Sequence, residues 1–295
     1  MHRLTQADLA MFDSKMSDDK MSDDRSKDGI LEDESAPAST LAPPPVASAD
    51  LLRAAADPAL TEDFALALLK RAALHPGVLE QLAKNTSALK SRKVKIALAS
   101  HPNTPRHVSV ALARQFYTFD LMKVALSPHV PADVKVAVDN VLISRLKLVT
   151  VGERLTLARR ASGRVAAALL LDLENVNAKI VGAKIVDAKT AARETRVMRT
   201  ALDNPRLTEA LVINSVLRPA ASAALVQAVA QHAMWSGRRE IRAALLQTEH
   251  LSLARALEFS REIPAALLQD VLASSRLPDK IKDQLMHLCN LTSDL

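Results

Sequence analysis

The feature that most constrains this 295-residue chain is that it repeats itself at an offset of 147 residues. Laid over 198–293 without a gap, 51–146 pairs Pro58-Ala59-Leu60-Thr61-Glu62 with Pro205-Arg206-Leu207-Thr208-Glu209, Arg92 with Arg239, Leu121 with Leu268, Val124 with Val271, Ser127 with Ser274 and Pro131 with Pro278. Of the 96 paired positions 17 are identical, and swaps such as Val94/Ile241, Lys95/Arg242 and Val134/Ile281 keep the residue type. The matches fall where helices start and where apolar faces recur, so the repeated property is backbone architecture. We expect a first unit over about 51–197 and a second, truncated unit over about 198–295.

Composition narrows the element type. With 48% apolar but 2% aromatic residues and six glycines, the core must be Ala, Leu and Val. That mixture suits closely packed helices and supplies strands poorly, so the expected class is all-α. A lone Cys289 excludes an intramolecular disulfide framework and a multi-cysteine zinc site, and reads as a small apolar core residue in a reducing compartment. The segment Met1-His2-Arg3-Leu4-Thr5-Gln6-Ala7-Asp8 lacks an uninterrupted apolar run, and the longest such run, Val165 to Leu171, is far short of a membrane span. The expectation is a soluble, cytoplasmic protein.

The net charge of +6 conceals a division. Residues 1–49 carry five Lys/Arg against ten Asp/Glu, leaving 34 basic and 23 acidic side chains in 50–295. Residues 1–49, with Asp18, Asp19, Asp23 and Asp24 and the run Pro43-Pro44-Pro45, are too polar and charged to repay the entropy of ordering, and we expect a disordered acidic tail. Such a tail is a solubilising leader, an extension ahead of a later start at Met11, Met16 or Met21, or a screen for a basic groove.

From Ala49 onward short helical runs are punctuated by proline. Asp57-Pro58-Ala59-Leu60-Thr61-Glu62, His101-Pro102-Asn103-Thr104-Pro105, Ser127-Pro128-His129-Val130-Pro131 and Asn204-Pro205-Arg206-Leu207-Thr208-Glu209 share one logic. The first proline stops a helix, a Thr or turn residue caps the next, and Pro or Glu sits in its first turn. Gly152 reads as a further corner. Pro58 and Pro102 are 44 residues apart, which predicts a local unit of about that length.

A 44-residue unit of two or three helices resembles the HEAT and armadillo repeats. Ala97-Leu98-Ala99-Ser100-His101-Pro102-Asn103-Thr104-Pro105, with Val108 and Leu112 after it, also resembles the helical leucine-rich repeat variant. The resemblance covers roughly 50–295 and implies a right-handed α-solenoid without a cofactor. It departs from the variant repeat at Thr248-Glu249-His250-Leu251-Ser252, where both prolines are missing, and in having no cysteine cluster.

Chemistry is hard to place on these residues. None of the eight histidines forms an HExxH or His/Cys pattern, and His101, His107 and His129 cluster around corners, where histidines cap helix ends. No GxGxxG or GxxxxGK[ST] occurs, and Asp172 and Glu174, two apart on a helix, point to different sides. We expect no catalytic residue, no metal and no cofactor. The HEAT-like alkylpurine DNA glycosylases are the enzymes to exclude, and Trp235-Ser236-Gly237-Arg238-Arg239 is the only place with any similarity to them.

Basic residues remain. Arg92 and Lys95 recur as Arg239 and Arg242, and Arg154, Arg159, Arg160, Arg164, Arg193, Arg196 and Arg199 lie between the copies. Spacing of three on a helix puts Arg92 and Lys95 on one stripe, and stacked repeats would align such stripes. The expected binding groove is therefore Arg92, Lys95, Arg239 and Arg242, exposed and without carboxylate partners. The expected role is a non-catalytic scaffold for a protein partner, with sequence-independent nucleic-acid binding as the alternative. Only Trp235, Tyr117 and a few Phe could stack on bases, which favours the protein partner.

Overall fold

The computed structural model describes the backbone of residues 49–171, 188–219 and 221–293, with side chains for 49–171, 192–219 and 221–287. The expected acidic tail up to residue 48, the carboxylates of Asp172 and Glu174 and the thiol of Cys289 lie outside these, whereas Ala49, assigned to the tail, begins the first helix. The described residues are helical and contain no strand. The helices are α1 Ala49–Ala56, α2 Glu62–Leu69, α3 Pro76–Lys84, α4 Arg92–Ala99, α5 Arg106–Ala113, α6 Thr118–Leu126, α7 Ala132–Ser144, α8 Val151–Arg160 and α9 163–171. They continue as α10 Ala188–Leu202, α11 Glu209–Val216, α12 Ala223–Gln231, α13 Ala233–Ser236, α14 Arg239–Leu246, α15 Leu253–Ser260, α16 Ala265–Ala273 and α17 Asp279–Ser293.

Local signals explain the starts. Thr61 accepts from the Phe64 N–H ahead of α2, Ser91 from Val94 ahead of α4, and Ser222 from Leu225 ahead of α12. Pro76 opens α3, while Pro105, Pro131 and Pro264 stand one residue earlier, at the cap, where an absent N–H costs nothing. Thr150 and Glu153 form a reciprocal capping box before α8. Gly152 therefore lies inside the first turn of α8, and Thr150 makes the corner assigned to the glycine.

Helices of eight or nine residues are marginal alone, so burial of one face must hold them. Val94 and Leu98, four apart on α4, are fully buried, as are Ile241 and Leu245 on α14. Each such side chain contributes roughly 1.5–3 kcal/mol. Packing joins α1 to α3, α2 to α4, α4 to α5 and α6, and α5 and α6 to α7. In the later part it joins α10 to α12, α11 to α14, α14 to α15 and α16, and α15 and α16 to α17. Helices two apart in the earlier set start 26 to 30 residues apart, as from Glu62 to Arg92 and from Arg92 to Thr118. Packing thus recurs between helices two apart, whereas the 44 residues between corner prolines span the three helices α2, α3 and α4.

Five helices have spans offset by 147 residues at both ends: α2 and α11, α3 and α12, α4 and α14, α5 and α15, α6 and α16. α7 and α17 share the offset at their starts. The corner hydrogen bonds follow it too, because Asp57 Oδ1 accepts from the Ala59 N–H at 2.8 Å and Asn204 Oδ1 from the Arg206 N–H at 2.8 Å.

A second kind of bond ties corners together. Residues at one corner donate to carbonyls about 30 residues earlier, in the last turn of a helix or in the turn that follows it. Asn85 Nδ2 reaches Ala55 O at 3.0 Å and Asp57 O at 2.7 Å, and Asn103 Nδ2 reaches Leu74 O at 2.9 Å. Arg145 reaches Phe116 O at 2.7 Å, and Ser275 Oγ reaches Leu246 O at 2.5 Å. His101 belongs to this set: Nε2 meets Arg71 O at 2.9 Å while Nδ1 accepts from the Asn103 N–H at 3.2 Å.

Candidate binding surface

The four cations singled out by the repeat have different surroundings. Arg92 holds Asp120 with two bonds of 2.7 Å, Nε to Oδ2 and Nη2 to Oδ1, and lies over the Tyr117 ring. Asp120 is buried, and its hydrogen bonds raise the Arg92 pKa further above its ordinary value. Lys95 Nζ donates to the neutral Gln115 Oε1 at 3.3 Å. Arg239 is exposed and has no ion pair among the described residues. Arg242 is mostly covered: it donates to Ser236 O at 2.6 Å, pairs with Glu262 and packs on the Phe259 ring.

The expectation of four unpartnered cations therefore fails at Arg92 and Arg242. The reason lies in two residue differences between the paired segments. At the 147-residue offset Asp120 faces Leu267, so Arg239 lacks the carboxylate that Arg92 has; Gln115 faces Glu262, so Arg242 has one that Lys95 lacks. One cation of each pair is neutralised, and only Lys95 and Arg239 stay without a carboxylate.

Trp235 is no base-stacking platform, being buried, with Nε1 donating to Leu202 O at 2.9 Å and Arg238 over its ring. Among the described residues no three His, Cys, Asp or Glu side chains are grouped to hold a metal ion. Nor is any described helix long and apolar enough to cross a membrane.

A different surface gathers cations. An open groove of about 430 Å³ is lined by α7 and the turn after it, by α9 and by α11. Each element gives it one stripe. Ile143, Leu146 and Lys147 come from the first; Arg164, Ala167, Ala168 and Leu171 from α9; Leu211, Asn214, Ser215 and Arg218 from α11 and its end. The last two stripes run i, i+3, i+4, i+7, the spacing of one helix face. Lys147, Arg164 and Arg218 are exposed, none forms an ion pair with a carboxylate among the described residues, although the Arg164 charge is felt at Asp139, and no lining residue is acidic.

The start of α9 is held tightly beside this groove. A Cβ on Gly163 would lie 2.1 Å from Arg206 O and 3.1 Å from Leu211 Cδ1, so the missing side chain lets α9 abut the corner before α11. Ser162 Oγ accepts from the Val165 N–H and donates to Asp139 Oδ2 at 2.8 Å, and Arg164 Nη2 donates to Asn140 Oδ1 at 3.1 Å. Asp139 is buried with Oδ1 unpartnered among the described residues. Burial pushes its pKa up, while the Ser162 bond and the Arg164 charge pull it down less strongly.

Sequence reasoning named Arg164 among the cations between the copies but not Lys147 or Arg218. Periodicity could mark each stripe; it could not say that these three elements surround one groove. No protein-family model matches the chain, and no curated protein and no solved structure matches it either.

Proposed function

We propose that this chain is a non-catalytic scaffold that binds a protein partner in the cytoplasm. In this reading it is a right-handed α-solenoid of HEAT- or armadillo-like helical repeats, close to the leucine-rich repeat variant, built by tandem duplication of about 147 residues. The observation that carries the reading is the shared frame of the two parts, in which α2 to α6 and their counterparts keep both helix limits and packing partners. Stacked helix pairs present long, rigid faces whose exposed residues are free to vary while the core is kept, and arrays of this kind serve as binding surfaces. Exposed Phe64, Tyr117 and Leu148 give such faces apolar anchors.

The test is affinity capture with the full-length protein, identification of the captured chain, and sedimentation of the two purified components. A stoichiometric complex supports the scaffold reading. The alternative, sequence-independent nucleic-acid binding, draws on the 34 basic against 23 acidic residues of 50–295. Duplex DNA titrated at two salt concentrations separates the two: tight binding that falls steeply with salt favours nucleic acid, and no binding at low salt removes it.

A further inference from the structure

We propose that the groove between α7, α9 and α11 is the seat of an acidic amphipathic segment of the partner, with aliphatic side chains on the floor and carboxylates at Lys147, Arg164 and Arg218. This rests on the scaffold reading and adds the partner's chemistry and the place where it binds.

Three properties of the groove select that occupant. Its floor is aliphatic: Ala167 and Ala168 on α9 leave a depression between Ile143, Leu146 and Leu211, shaped to take bulky aliphatic side chains. Its rim carries three cations, one from each wall, with no carboxylate among the lining residues to neutralise them. Arg164 has only the neutral Asn140 amide as a hydrogen-bond partner, and no carboxylate forms an ion pair with Lys147 or Arg218 among the described residues. Charge complementarity thus demands an anionic ligand and the floor demands an apolar one, so both properties must occur together in the partner.

The same lining disfavours nucleic acid. It contains no aromatic side chain, so bases would meet aliphatic groups with nothing to stack on. The walls are made of helix faces on which seven residues advance about 10 Å. That run matches two turns of a helical segment with leucines at i, i+3, i+4 and i+7, the spacing found on the groove's own walls.

The experiment uses the full-length protein and three fluorescein-labelled peptides. The first has leucines at i, i+3, i+4 and i+7 with glutamates elsewhere, the second replaces the glutamates by lysines, and the third replaces the leucines by glutamates. Fluorescence anisotropy is expected to show the first binding at least tenfold more tightly than either of the others. Lys147→Glu/Arg164→Glu/Arg218→Glu should weaken it at least tenfold, and Ala168→Trp, which fills the floor while keeping every charge, should weaken it comparably. The control Lys95→Glu/Arg239→Glu, at the two cations that have no carboxylate partner, should leave it within about twofold.

Several outcomes overturn the inference. Equal binding of the first and third peptides would mean that charge alone is read. Loss in the control as large as in the triple variant would mean diffuse attraction to the basic body. A duplex oligonucleotide that binds more tightly than the first peptide and is lost in the triple variant would make the groove a nucleic-acid site. Absence of peptide binding to the wild-type protein would remove the groove alone, because a stoichiometric captured complex that survives the triple variant leaves the scaffold standing on another face.

Discussion

Trp235 and Asn85 satisfy the same backbone position in the two parts of the chain. Asn85 Nδ2 donates to Ala55 O at 3.0 Å, and Trp235 Nε1 donates to Leu202 O at 2.9 Å, and Ala55 and Leu202 are 147 residues apart. The donors are not equivalent positions: Trp235 corresponds to Ala88, and Asn85 to His232, which bonds Asp203 instead. Two helix-end carbonyls 147 residues apart each need a partner, and different side chains supply it.

If these bonds hold the corners, losing either should weaken the fold. Asn85→Ala removes two donations and the two bonds its Oδ1 accepts from the Ser87 and Ala88 N–H groups, and should cost about 3 kcal/mol. Trp235→Phe keeps most of the buried ring and loses one bond, for about 1–2 kcal/mol. Urea unfolding followed by circular dichroism gives both values, and an unchanged midpoint for Asn85→Ala would refute the role of the stitch.

Gly163 and Gly152 should respond to alanine with opposite signs. At Gly163 the new methyl group meets a backbone carbonyl 2.1 Å away, which cannot yield as a side-chain tip could, so Gly163→Ala should cost about 2 kcal/mol or more. At Gly152, in the first turn of α8, nothing lies within 4 Å, and Gly152→Ala should stabilise by about 0.5–1 kcal/mol. Thermal melts of the two variants beside the parent decide the matter.

Asp139 makes stability depend on pH in a definite direction. Its folded pKa is raised by burial above the ordinary 3.8, so the unfolded chain releases this proton more readily than the folded one. The resulting penalty is fully present above the folded pKa and disappears as pH falls through it toward the unfolded value. Asp139→Asn keeps an acceptor for Ser162 and carries no charge, and should raise the unfolding midpoint at pH 7 by an amount that shrinks toward pH 4. A gain that grows with acidity would contradict the assignment.

The difference between Asp120 and Leu267 can be introduced into the earlier segment. Asp120→Leu installs the residue found at 267, where a leucine packs against the core and Arg239 goes without a carboxylate. Arg92→Ala instead leaves the buried Asp120 carboxylate without its cation. The second change should destabilise more than the first, since a buried charge stripped of its partner is worse than an apolar replacement. Midpoints in the reverse order would show that the pair matters for reasons other than burial.

The all-helical class and the starts of α2, α5, α7 and α11 were legible in the sequence because their causes are local. Pro58, Thr61, Pro105 and Pro131 act on backbone groups within a few residues, whereas the corner assigned to Gly152 is made by Thr150, and the step of three and four that buries Val94 and Leu98 is a property of the helix itself. The 147-residue frame was legible for the same reason, since it records where those local signals recur. Which helices stack was not: spacing between prolines measured three helices, whereas the fold pairs helices two apart. The charge of Arg92 or Arg242 was equally visible at the outset, but whether each meets a carboxylate depends on side chains 28 and 20 residues away. The groove depends on still more distant elements, because Lys147 and Arg218 share a wall space only once Gly163 lets α9 close against Arg206. Short-range sterics and hydrogen bonding are written along the chain, whereas electrostatic pairing and concave surfaces exist only after the chain has brought distant residues together.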